Sequence, residues 1–218
     1  RVDNPQPALD SVRALIEQLA HGLQALHRRE MLHQDLRPEN VMIDHHGMVK
    51  LIDLANAHVA GLAEYHPDAH ILAVPGTLQY TAPEYLLGEG GSQRSELFAL
   101  AAITYQLLSG QLPYGLDAAR VRSPADLARL RYIPLRHHRP DLPAWLDAVL
   151  ARALHPHPAK RQEVISEFIH DLKAPGPQYQ QQRSTPLIER NPVRFWQATT
   201  ALLGLAVIAL LALRALGH

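Results

Sequence analysis

The chain has 218 residues, with 21 Lys or Arg against 21 Asp or Glu, so its formal net charge is zero with histidine neutral. That length accommodates one domain of roughly 150–200 residues and a tail, and the balanced charge gives no case for nucleic acid as a partner. Cysteine is absent, which excludes disulfides and thiolate metal sites.

Leu9, Val12, Leu15, Ile16, Leu19, Leu23 and Leu26 recur at helical spacing and predict an amphipathic helix over residues 9–29. Val41-Met42-Ile43 and Val49-Lys50-Leu51-Ile52 are short β-type runs joined by Asp44-His45-His46-Gly47, which is a hairpin signal. Residues 54–84 read as irregular, with Pro67, Pro75 and Pro83 breaking any long element. Leu97 to Leu108 is almost wholly apolar and predicts a helix buried on all sides at the centre of the domain. Further helices are expected at about 123–131, 143–154 and 161–173. Residues 174–194 carry four Pro and a Gln-rich stretch and read as linker. No internal repeat is visible.

Residues 195–213, FWQATTALLGLAVIALLAL, are nineteen positions without a charge. At 1.5 Å per residue they extend about 28 Å, close to a bilayer core of roughly 30 Å. Trp196 opens the run, Arg183, Arg190 and Arg194 precede it, and Arg214 alone follows. A transmembrane helix is therefore expected, in preference to a buried core helix or an interfacial one. The basic residues ahead of it place the globular part in the cytoplasm.

His33-Gln34-Asp35-Leu36-Arg37-Pro38-Glu39-Asn40 is the most informative stretch, and Asp53 follows thirteen residues after Asn40 at the end of the second β-run. A carboxylate, a cation two residues on, an amide three beyond that and a second carboxylate make a phosphoryl-transfer set. One Asp orients the attacking hydroxyl and accepts its proton. The cation offsets charge on the moving group. Asn and the second Asp hold magnesium against nucleotide phosphates.

These residues resemble the eukaryotic-type (Hanks-type) protein kinase family of bacteria. The stretch from His33 to Asn40 looks like its catalytic loop, and Asp53-Leu54-Ala55 like its magnesium-binding triplet. Gly76-Thr77 with Thr81-Ala82-Pro83-Glu84 look like the end of its activation segment. The order and spacing fit along residues 10–173. The resemblance implies a mainly α, α+β-family fold: a kinase C-lobe over 1–173 with a small β-hairpin beside the catalytic loop. A linker at 174–194 and one transmembrane helix with a short tail at 195–216 would follow.

The resemblance also implies roles. Asp35 would be the catalytic base, and Asn40 and Asp53 the ligands of Mg2+ (or Mn2+) bound with ATP. Arg37, where the family usually has Lys, would contact the γ-phosphate. Met42, with Val41 and Ile43, would floor the adenine. Thr77 would mark serine/threonine specificity by bonding near Asp35, and Glu84 would pair with Arg161 in a buried ion pair. The partners implied are ATP, a protein substrate and, through residues 195–213, a lipid bilayer. The location implied is single-pass in a bacterial inner membrane. The family places a further lobe ahead of the first helix, with a Gly-rich loop, a Lys and a Glu. No G-x-G-x-x-G occurs in this chain, so the chain is expected to be the C-lobe part of a longer kinase, inactive alone, with a phosphatase domain as one possible neighbour.

Several positions depart from the family pattern. Gln34 replaces the Arg that usually meets an activation-loop phosphate, and residues 54–76 contain no Ser or Thr and a single Tyr, Tyr65. Switching by phosphorylation of that loop is therefore not expected. Ala55 replaces Gly, Ala101 replaces Gly, and Glu96 replaces an Asp that accepts N–H bonds from the catalytic loop. The extra methylene of Glu96 is expected to loosen or shift that support. Two other readings are weighed: a pseudokinase that docks or binds nucleotide without transfer, and a small-molecule phosphotransferase. Ala82-Pro83-Glu84 and the setting of Arg161 argue against the second. The 14 histidines fall in pairs with no third ligand at suitable spacing, so no structural metal site is expected.

Overall fold

The computed structural model describes residues 7–55, 57–59 and 77–180, together with positions 197 and 200. The expected membrane span at 195–213, apart from those two positions, and the linker beyond residue 180 lie outside the described residues. Among the described residues, no helix is long and apolar enough to cross a membrane. The chain divides into a unit of Arg1–Pro175 and a second of Gly176–His218.

The first helix, α1, runs over Leu9–His27 and buries Val12, Ile16, Leu19, Ala20 and Leu23, the stripe that its spacing predicts. Glu30, at φ 56°, turns the chain into β1 (Met31–Leu32). The catalytic-loop stretch follows and closes in a 3-10 turn at Pro38–Asn40. Next come β2 (Val41–Ile43) and β3 (Val49–Leu51), which pair antiparallel with Val41 opposite Leu51 and Met42 opposite Lys50. Gly47, at φ 79°, makes the turn. The hairpin is pressed onto α1: a Cβ on Gly22 would meet Leu51 Cδ1 at 3.0 Å. Gln18 clamps it further, donating from Nε2 to the Gly47 carbonyl at 3.2 Å and accepting from Val49 N–H at 3.1 Å. A second two-stranded sheet pairs β1 with β4 (His58–Val59).

After a 3-10 turn at Thr77–Gln79 come α2 (Pro83–Leu86) and α3 (Gln93–Ser109). Ser92 and Ser95 form a reciprocal cap at the start of α3, and Gly110, at φ 69°, ends it in the left-handed conformation. The expected central helix is thus longer at both ends than its apolar run. Thirteen of its residues are buried, Leu97 to Tyr105 without interruption. It packs on α1 and on the later helices α5 (Leu135–His138), α6 (Ala144–Ala153) and α7 (Ile165–Lys173). Between them lies α4 (Pro124–Arg129), and α8 (Pro177–Gln180) belongs to the second unit.

Two boundaries differ from the sequence reading for identifiable reasons. The last helix of the first unit starts at Ile165 rather than 161, because Arg161 adopts extended backbone, φ −76° and ψ 172°, to reach a buried partner. The stretch from 54 to 84 is not wholly irregular: β4 lies within it and α2 begins at its end, both too short to show a period. The described domain is mostly helical with small antiparallel sheets, as expected.

Candidate active site

The hairpin brings the magnesium-type residues together. Asn40 enters β2 and Asp53 leaves β3, and the Ile52 N–H donates to the Asn40 carbonyl at 3.0 Å, which continues the ladder one step toward both. Asn40 is buried, and its Nδ2 donates to the Asp35 carbonyl at 2.8 Å and to Asp35 Oδ2 at 3.1 Å. Asp35 and Asn40 are therefore one bonded unit. The donor end of the amide is used on Asp35, which leaves Oδ1 as the atom able to bind a cation. Asp53 is exposed, and its Oδ1 accepts weakly from Ala55 N–H at 3.3 Å. An amide oxygen and a free carboxylate at one end of a hairpin suit a hard, oxygen-seeking divalent cation. Among the described residues no group of three His, Cys, Asp or Glu forms a metal site of its own, so phosphate oxygens would have to complete the shell.

Two non-glycine residues at the site hold left-handed backbone: Gln34 at φ 64° and Asp53 at φ 62°. Such conformations are costly and cluster where surroundings over-determine them. Ala55 is not among the positive-φ residues, so the freedom of glycine is not used there.

The force that holds Gln34 comes from α3. Glu96 Oε1 accepts from the His33 N–H and, at 3.0 Å, from the Gln34 N–H. Its Oε2 meets His27 Nε2 at 2.5 Å. Glu96 does not loosen the loop as its length suggested. The added methylene is taken up by spanning from the loop to the end of α1, with the carboxylate only 2% exposed. His33 adds a second tie, with Nε2 bonded to the Ile52 carbonyl at 3.1 Å, so the catalytic loop and the approach to Asp53 are joined directly. Replacing Glu96 by Ala leaves two N–H groups and a histidine without their acceptor. At about 1–3 kcal/mol for each buried group left unsatisfied, the loss should appear as a clear fall in melting temperature of the full-length protein. A melting temperature equal to that of the unaltered protein would remove Glu96 from this role.

Arg37 lies between Asp35 and Asn40 in extended backbone, with Nε donating to Glu39 Oε2 at 2.8 Å. That bond raises the basicity of Arg37 and holds the Glu39 carboxyl below its ordinary value. Met42 is 55% exposed on the face of the hairpin opposite Val41 and Leu51, with Ile43, Ile52 and Leu54 also open. Met42 and Ile43 are neighbours in β2 and so open on opposite sides of the hairpin. Thr77 begins the 3-10 turn Thr77–Gln79, but its side chain lies outside the described residues, as do residues 60–76 with Tyr65. Beyond it Tyr80 donates to Gln106 Oε1 at 2.6 Å, and burial pushes its phenol up. A small cavity between this segment and the catalytic loop is lined by Asp35, Tyr80, Thr81, Ala82 and Glu96, among others.

The expected pair of Glu84 and Arg161 is present and buried: Nη1 to Oε1 and Nη2 to Oε2 are both 2.7 Å. Ser95 Oγ adds a bond to Glu84 at 2.8 Å. Sequence reasoning did not assign roles to His27, His33, Gln18 or Glu39. His33 and Glu39 had a signal, since both lie in the motif; His27 and Gln18 act only through contacts that the fold creates.

The same chain matches the protein kinase domain family over residues 6–172. It belongs to that family. It is 33% identical over 168 residues to the serine/threonine-protein kinase Pkn1 of Myxococcus xanthus, covering 76% of this chain and 24% of that protein. It is 32% identical over 164 residues to the serine/threonine-protein kinase PknB of Mycolicibacterium smegmatis, covering 73% of this chain and 26% of that protein. The serine/threonine-protein kinase PrkC of Bacillus subtilis is more distant, at 24% identity over 170 residues. The chain spans about a quarter of the length of these curated relatives.

Proposed function

We propose that this chain is the C-lobe of a bacterial serine/threonine protein kinase, which transfers the γ-phosphoryl group of ATP to a hydroxyl of a protein. The observation that carries the reading is the joined set of Asp35, Asn40 and Asp53, with Asn40 bonded to Asp35 and tied across the hairpin to Ile52. Asp35 orients the substrate hydroxyl and takes its proton as the oxygen attacks the γ-phosphorus. The bond to the bridging oxygen breaks, and ADP leaves. Asn40 Oδ1 and the Asp53 carboxylate would hold the divalent cation. When bound, that cation supplies neutralisation of charge on the phosphate oxygens. Arg37 offsets charge on the transferred group. Met42 would floor the adenine, and Thr77 would mark serine/threonine specificity by bonding near Asp35.

The names of the relatives and the family match support the serine/threonine class. The pseudokinase alternative draws on Gln34, Ala55 and Glu96. Two of these weigh less than their sequence suggests, because Ala55 needs no positive φ and Glu96 keeps its bonds to the loop. A lobe carrying the Gly-rich loop would cover the exposed hairpin face in the complete enzyme, and the apolar run at 195–213 would anchor it in the inner membrane with the kinase part in the cytoplasm. The test is incubation of the full-length protein in membranes with labelled ATP and Mg2+, followed by phosphoamino-acid analysis. Phosphoserine or phosphothreonine that vanishes with chelation is expected. Label only on small molecules, or none, would overturn the reading.

A further inference from the structure

Arg37 is followed by Pro38, which restricts it to the extended backbone observed, φ −153° and ψ 160°. The 3-10 turn Pro38–Asn40 then brings Glu39 back beside the Arg37 side chain. The two meet through one edge of the guanidinium, Nε to Oε2 at 2.8 Å. The Arg37 side chain is 21% exposed and that of Glu39 60%. Among the described residues, no acceptor is bonded to Nη1 or Nη2.

We propose that Glu39 is a positioning residue for phosphoryl transfer, gripping Arg37 by Nε so that the fork of Nη1 and Nη2 is presented to the transferred phosphoryl group. The inference rests on the kinase reading of Asp35, Asn40 and Asp53. It also accounts for arginine at a position where lysine would supply the same charge. A guanidinium has five donors fixed in one plane, so one edge can be held while the other binds two phosphoryl oxygens. A lysine carries its three donors on a single nitrogen. Beside a lysine, Glu39 would compete with the phosphoryl group; beside an arginine, it orients the donor. The effect of Glu39 therefore depends on which residue stands at 37. An exposed ion pair adds little to stability, so its loss is read at the nucleotide and not in folding.

The test uses the full-length protein in four forms: unaltered, Glu39→Gln, Arg37→Lys and the double variant. Two quantities are measured by calorimetry, the affinities for ADP and for AMP-PNP, an ATP analogue that keeps a γ-phosphoryl group. Turnover is followed beside them. Glu39→Gln is expected to weaken AMP-PNP about fivefold, the ceiling for an exposed pair, and to leave ADP unchanged. In the Arg37→Lys background the same change is expected to leave AMP-PNP affinity constant or to raise it. Equal losses for AMP-PNP and ADP, or equal losses in both backgrounds, would overturn the proposal. So would a rise confined to the KM of the protein substrate, which would make Glu39 a reader of substrate side chains. Failure of the kinase reading itself looks different: the unaltered protein would bind neither nucleotide and transfer no phosphate, and the proposal would fall with it.

Discussion

Asp35→Asn in the full-length protein is expected to lower turnover by about 100- to 10,000-fold, the range for losing a positioned general base. Nucleotide affinity should stay near that of the unaltered protein. The asymmetry follows from the site. Asn40 Nδ2 bonds both to the Asp35 carbonyl, which the substitution keeps, and to Oδ2. An asparagine at 35 can still offer an amide oxygen there, so Asn40 remains placed for the cation. What disappears is the carboxylate proposed to take the proton. A change that lowers kcat and kcat/KM together, with binding intact, identifies an interaction made in the transition state. Equal turnover in single-turnover measurements would show that Asp35 is not the base.

Arg161→Ala is expected to destabilise the domain by roughly 3–5 kcal/mol, the cost of stranding one member of a buried ion pair. For a domain of this size that corresponds to a fall of about 10 °C in melting temperature. All five guanidinium donors are used: Nε on the His155 carbonyl, Nη1 on Glu84 Oε1 and the Arg94 carbonyl, Nη2 on Glu84 Oε2 and the Pro156 carbonyl. The plane also lies 4.8 Å from the centre of the Phe98 ring. Arg161 thus binds α2, the start of α3 and the turn before α7 into one block. Lysine at 161 should recover little, because three donors cannot replace five in a fixed plane. Glu84→Gln removes the charge and keeps the shape, and it should destabilise by a comparable amount. Thermal unfolding followed by circular dichroism checks all three. Shifts within about 1 °C would mean that the pair contributes specificity and not stability.

The parts of this molecule that were legible in its sequence share a physical cause. α1 and the β2–β3 hairpin carry their periods in a continuous run, and α3 is apolar all round because it is buried on every side. The placement of Asp35, Asn40 and Asp53 near one end of the hairpin was legible because a short loop and a tight hairpin keep residues of close sequence spacing together. Elements of two to four residues were not. The pairing of β1 with β4 joins Met31 to Val59 and has no local signature. α5 is four residues behind Pro134. The role of Glu96 was misread because its consequence depends on His27, 69 positions away, which receives the longer side chain. The Gln18 clamp spans 31 positions to Val49 for the same reason. Glu39 is the exception, since its partner is two residues off. There the missing information was not distance but the edge of the guanidinium that is used.

The central claim is that Asp35, Asn40 and Asp53 form a working phosphoryl-transfer site. Asp53 tests it most directly, because its side chain is exposed and its bond to Ala55 N–H is weak. The measurement is transfer of labelled phosphate from ATP to protein by the full-length enzyme, beside the same enzyme with Asp53→Ala. The account predicts transfer by the first and transfer at background by the second, with both folded and the second melting somewhat lower, because alanine holds φ 62° less easily than aspartate. Equal transfer by the two would contradict it.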